Sequence, residues 1–107
     1  MKIKAIVKRT DEPAGHMTHI ENTLKNLQTI VGGFIEIVPV GSNAVIICNE
    51  EGKIRQLPTN IVIGDGSAIW DAICGDLIVC GTDGDEFTDV PIDFKTWKTL
   101  LKGWGNT

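Results

Sequence analysis

The run Asn43 to Asn49, NAVIICN, limits the fold more tightly than any other stretch. A strand with one wet face alternates apolar and polar residues. Five consecutive apolar residues, Ala44 to Cys48, instead fit a strand covered on both faces.

Other segments can be placed around it. Lys2 to Lys8 alternates, with Ile3, Ala5 and Val7 on one side and Lys2, Lys4, Ile6 and Lys8 on the other, the period of a half-buried strand. Asp11 to Gly15, DEPAG, ends it. THIENTLKNLQTIVGG predicts a helix over about 18–31, because Thr18 and Glu21 match a capping box and Ile20, Leu24, Leu27 and Val31 recur at helical spacing. Gly32 and Gly33 would end it, one of them left-handed. FIEIVPV reads as a strand with Pro39 near its end and Glu36 facing water.

NEEG, residues 49–52, predicts a type I turn followed by a bulge Gly, which would pair Asn49 with Lys53, Cys48 with Ile54 and Ile47 with Arg55. Ile61 to Ile63 continue as a short strand. GDGSAIWDAIC reads as a loop and a short helical turn capped by Ser67, DLIVCG as a strand, and TDGDEF as a turn. PIDFKTWKTLLKGWG predicts a second helix over about 92–102, with Phe94, Trp97, Leu101 and Trp104 on one side. This order implies an α+β fold of one domain over 1–107, a mainly antiparallel sheet with both helices covering one face.

Composition excludes several functions. Apolar residues at 42% and charged ones at 22% are those of a globular protein, and the net charge of −4 is too small for a DNA mimic. It also has the wrong sign for gripping phosphates by bulk charge, so nucleic-acid binding is disfavoured. Cys48, Cys74 and Cys80 sit in apolar runs outside any CxxC pair, as buried residues of a reducing cytoplasm would. The N-terminus has no signal-peptide core and no window is long and apolar enough to span a membrane, so a cytoplasmic protein is expected.

The segments LQTIVGGFIEIV, ICNEEGKIRQLPTN and GDLIVCG, in that order, resemble a family of small proteins of phages and mobile elements catalogued as a domain of unknown function. The likeness runs from about Ile3 to Phe94. It implies a phage or mobile-element setting in a bacterial host and carries over no catalytic residue. Trp97 and Trp104 lie largely outside it.

The candidate site residues are Asn49, Lys53, Arg55, Asn60 and Trp104. Arg55 and Lys53 would hold an anion, Asn49 and Asn60 would read its polar edges, and Trp104 would lie at an interface. The competing reading of NEEG is a turn and no more: Asn opens a type I turn and Gly supplies a positive φ. Asp83, Asp85, Glu86 and Asp89 lack the order of a calcium loop. His16 and His19 are too few for a structural metal and are placed at a helix start. No nucleophile motif, phosphate loop or cofactor signature is present.

The function expected from this is a non-enzymatic binding protein, a small homo-oligomer that sequesters a nucleotide signal of host immunity in pockets between protomers. The alternative is an inhibitor or adaptor that docks on a host protein through a strand edge or the terminal Trp helix. An enzyme with an acid–base pair among Asp65, Asp71, Asp76 and the acidic tip of Asp83, Asp85, Glu86 and Asp89 is the third reading, and no spacing supports it.

Overall fold

The computed structural model describes residues 1–41 and 43–106. In chain order the elements are β1 (Lys2–Lys8), β2 (His16–Glu21), α1 (Leu24–Val31), β3 (Ile35–Gly41), β4 (Ala44–Asn49), β5 (Thr59–Gly64), β6 (Ile69–Cys74), β7 (Leu77–Asp83), β8 (Glu86–Thr88) and α2 (Phe94–Gly103). The main sheet runs β2-β1-β7-β4-β3, with β8 pairing the far end of β7. β5 and β6 form a separate ribbon, and every one of these pairings is antiparallel. The fold is α+β and dominated by antiparallel sheet.

Strand β4 is buried along its whole length, and the reason is visible on both sides of it. On one face Val45 and Ile47 join Ile3, Ala5, Val7, Ile78 and Cys80 under Leu27 and Val31 of α1. On the other, Ile46 and Cys48 join Ile6, Leu77 and Val79 under Ile61, Ile63 and Ile73 of the ribbon and Trp97 and Leu101 of α2. The two helices therefore lie on opposite faces, not on one. A single layer of helices would have left half of β4 wet.

The same second layer alters the reading of β1. Ile6 and Lys8, on its expected polar side, are both buried. Lys8 Nζ donates to Asn60 Oδ1 and, at 3.5 Å, to the Asn60 carbonyl. Burial pulls the Lys8 pKa below its ordinary value.

The helix expected over 18–31 is shorter. His16–Glu21 is strand β2, which pairs with β1 from Val7↔His16 to Lys2↔Glu21. Glu21 receives the Met1 amino group at 3.2 Å in place of any capping role. The helix starts instead at Thr23, whose Oγ1 accepts from Asn26 N at 3.2 Å. It ends at Gly32, whose φ of 83° is the left-handed conformation that costs glycine little.

The short helical turn at Ser67 is also absent. Asp65 Oδ1 accepts from the N–H groups of Ser67 and Ala68 and from Ser67 Oγ, and this closes the turn between β5 and β6. IWDAIC is then free to pair with β5 as a strand. Glu36 is exposed, as expected. Among the described residues no helix is long and apolar enough to cross a membrane.

Candidate functional site

The string NEEGKIRQLPTN does not fold as a hairpin. Both edges of β4 are already taken, by β3 (Ile37↔Ile47, Glu36↔Cys48) and by β7 (Ile47↔Ile78), so no edge is left to pair Ile47 with Arg55 or Cys48 with Ile54. The chain coils instead through successive turns, with Arg55 N donating to the Glu51 carbonyl and Leu57 N to the Gly52 carbonyl at 2.8 and 2.9 Å. Ile54 is left exposed. Gly52 serves by its lack of a Cβ, which would sit 2.6 Å from the Cys74 carbonyl; it does not adopt the expected positive φ.

Four of the five expected ligand residues are engaged within the protein. Asn49 is only 4% exposed; its Nδ2 donates to the Val31 carbonyl at 3.2 Å and its Oδ1 accepts from Glu51 N at 2.8 Å. It therefore ties the end of α1 to the end of β4. Arg55 Nη1 donates to the Gly32 carbonyl at 3.2 Å, at the negative end of the same helix. Lys53 Nζ meets Asp71 Oδ1 at 2.7 Å. This bond raises the Lys53 pKa and lowers that of Asp71. Asn60 Nδ2 donates to the carbonyls of Lys8 and Gly75, both at 2.9 Å, while its Oδ1 accepts from Lys8.

The structure does not gather these residues into one site. Asn49 and Arg55 share a depression of about 350 Å³ with Thr10, Pro58 and Asp76. Arg55 is its one cationic lining residue among the described ones, and it faces helix carbonyls and a carboxylate. A phosphate there would meet the wrong end of α1. Lys53 turns to Asp71 and lines a smaller depression with Asn49, while Asn60 lies beside Lys8 and Asn106 and donates to Gly75, which also borders the Asn49–Arg55 depression. Trp104 is half-buried, its ring 5.9 Å from that of Trp97 at 79°, and it borders a separate depression with Val62 and Ile69.

A different concavity has a more apolar lining than the Asn49–Arg55 depression. Pro13, Ala14 and Gly15 face α2 across a groove of about 460 Å³ whose floor includes Phe94 and Leu101 and whose rim carries Lys98 and Lys102. Trp97 Nε1 donates to the Ala14 carbonyl at 2.9 Å and so fixes the loop to the helix. Lys98 Nζ stands 5.6 Å from the Phe94 ring centroid, within cation–π range. Lys95, Lys98 and Lys102, spaced by three and four residues, form one stripe on α2. That stripe was the available sequence signal. The loop opposite it carries none.

The remaining candidates fall into structural or solvent-facing places. His16 and His19, three apart on a strand, point to opposite faces, and His16 Nδ1 contacts Glu12 Oε2 at 2.9 Å. The backbone N–H of Arg9 and then His16 lower the Glu12 pKa. Among the described residues no three His, Cys, Asp or Glu side chains could hold a metal together. Asp89 Oδ1 accepts from Lys4 N at 2.8 Å, and Asp76 Oδ1 from Thr10 N at 3.1 Å. Burial raises the Cys48 thiol to about 11 and the Cys80 thiol to about 12, so both stay protonated at neutral pH. Cys74 is half-buried, not fully buried as expected.

Residues 1–102 match the family model described as a domain of unknown function (DUF3846), and the chain belongs to that family. Neither a curated protein nor a solved structure matches it.

Proposed function

For this member of a family of unknown function, we propose a non-enzymatic binding role: a protein of phage or mobile-element origin that sequesters a small nucleotide signal of immunity in the cytoplasm of a bacterial host. The observation that carries the reading is the groove beside α2. Its volume of about 460 Å³ lies within the range of small-molecule sites, and it joins an apolar floor to two lysines. A planar base fits the first and a phosphate the second. The protonated, buried Cys48 and Cys80 thiols also favour binding over nucleophilic chemistry.

Calorimetry of the full chain against a panel of linear and cyclic nucleotides tests it. Micromolar binding, abolished by Lys98→Glu with Lys102→Glu, is expected. A panel without a binder would end the sequestration reading, and binding that survives both substitutions would move the site out of the groove.

The second reading, an inhibitor or adaptor of a host protein, is favoured by a different observation. Trp97 is buried and Trp104 half-buried, so the terminal helix offers little Trp surface, whereas Trp70 on β6 is 66% exposed beside exposed Ile69. If it holds, a host protein captured by the wild type is released by Trp70→Ala; equal capture by both would count against it.

A further inference from the structure

Strand β3 is an outer strand of the main sheet, and its sequence is IEIVPVG. Among the described residues nothing pairs with its outer side. The other outer strand of that path, β2, carries His16, His19 and Glu21, whereas β3 carries a single charge, Glu36. Two large apolar side chains stand exposed at this edge, Phe34 at 65% and Ile37 at 48%. Long apolar edges of this kind invite another strand.

Backbone geometry says which groups are free. The Phe34 carbonyl accepts from Glu50 N at 2.8 Å, so along this strand the even-numbered residues turn their peptide groups toward β4. Antiparallel alternation then turns the N–H and C=O groups of Ile35 and Ile37 outward. Pro39 also falls on the outward set, where its missing N–H costs the β3–β4 ladder nothing.

We propose that a second copy of this chain pairs with this edge, β3 against β3, antiparallel about a two-fold axis at Ile37. The axis follows from charge and side-chain matching. Centred at Glu36, the pair would set two carboxylates directly opposite each other, which opposes association. Centred at Ile37, each Glu36 faces Val38 of the other copy and Ile35 faces Pro39, where the regular register ends at the bulge between Pro39 and Gly41. The Ile37 residues exchange two backbone hydrogen bonds, and each Ile35 N–H reaches a Pro39 carbonyl. The contact covers exposed Ile37 and is self-complementary, as an isologous dimer requires. It is independent of the groove beside α2.

Cross-linking and sedimentation test it on the full chain. In the proposed register the two Ile37 Cα atoms lie ~5.5 Å apart, within disulfide range. Ile37→Cys should therefore form a covalent dimer under a thiol oxidant, above the background of the native Cys48, Cys74 and Cys80. Phe34→Cys should not, because its two copies stand ~20 Å apart along the strands. The wild type should sediment as a dimer at about 100 µM, and Ile37→Lys should weaken association roughly tenfold or more with the near-ultraviolet signal of its Trp residues unchanged. A wild type that stays monomeric at that concentration, a dimer indifferent to Ile37→Lys, or Phe34→Cys linking as readily as Ile37→Cys would each overturn the proposal. Should Ile37→Lys misfold, the two cysteine variants decide.

Discussion

The two faces of the main sheet are covered by different means. On one side an eight-residue helix, α1, lays Leu27 and Val31 on an apolar floor. Its ends are finished locally by Thr23 and Gly32, and Asn49 adds one tie from β4. On the other side the ribbon β5–β6 and helix α2 share the cover. They are stitched by side chains that reach far along the chain: Asn60 to Lys8 and Gly75, Asn106 to Val62, and Trp97 to Ala14. One face is held mainly by packing and local caps, with Asn49 and Arg55 tying down only the end of α1. The other also depends on distant polar contacts that fix where its two elements sit.

The sharpest way to break the comparison is to remove the anchor of each face. Trp97 is fully buried and adds an indole hydrogen bond, so Trp97→Ala should cost ~3–5 kcal/mol, near the whole stability of many small domains. Leu27→Ala removes a smaller buried side chain and should cost ~2–4 kcal/mol. Urea unfolding gives both values. A larger loss at Leu27 would reverse the ranking of the two faces.

The next largest effect isolates the stitching itself. Asn60→Ala deletes no core volume but leaves the Lys8 and Gly75 carbonyls and the buried Lys8 ammonium short of partners, a loss of ~2–3 kcal/mol. Hydrogen exchange should rise in β5 and β6 more than in α1. Uniform acceleration throughout would mean that the ribbon does not move as a separately stabilised unit.

The same contrast explains what was legible in the sequence. β4 was readable because burial on both faces writes an unbroken apolar run. The terminal helix was readable because Trp97 and Leu101 recur at helical spacing. β2 was not, because Thr18 and Glu21 imitate the capping chemistry that Thr23 performs five residues later. The coil after Asn49 was misread as a hairpin because the occupancy of both β4 edges, by strands before and after it in the chain, leaves no mark on NEEG. Asn49, Lys53, Arg55 and Asn60 are expected from the sequence to contact a ligand, and the structure engages them with Val31, Asp71, Gly32 and Lys8, partners that no local pattern announces. The groove needs Pro13–Gly15 against α2, a contact 83 residues apart in the case of Trp97 and Ala14. Only its Lys stripe is local.

A smaller test bears on the locally finished face. Thr23→Ala removes the acceptor for Asn26 N and should cost ~1 kcal/mol, with the loss confined to the first turn of α1. Hydrogen exchange at residues 24–27 reports it. A matching loss in the ribbon would show that the two faces are coupled through the sheet.

The smallest expected effect lies at the Lys53–Asp71 pair, where the coil after β4 meets β6 on the stitched face. Both side chains are substantially exposed, at 65% and 39%, so a double-mutant cycle of Lys53→Met and Asp71→Asn should give a coupling of only ~0.2–1 kcal/mol at neutral pH and less in high salt. The pH dependence follows from the two shifts. Asp71 is held below its ordinary 3.8, so its contribution is full above that value and disappears as pH falls through the lower folded pKa. Lys53 is held above 10.5, so its contribution is full below that value and is lost as pH rises through the higher folded pKa. The coupling should therefore hold between these limits and fade outside them. A coupling that persists in strong acid would mean that the pair acts by packing, and this stitch would then belong with the apolar contacts of the α1 face.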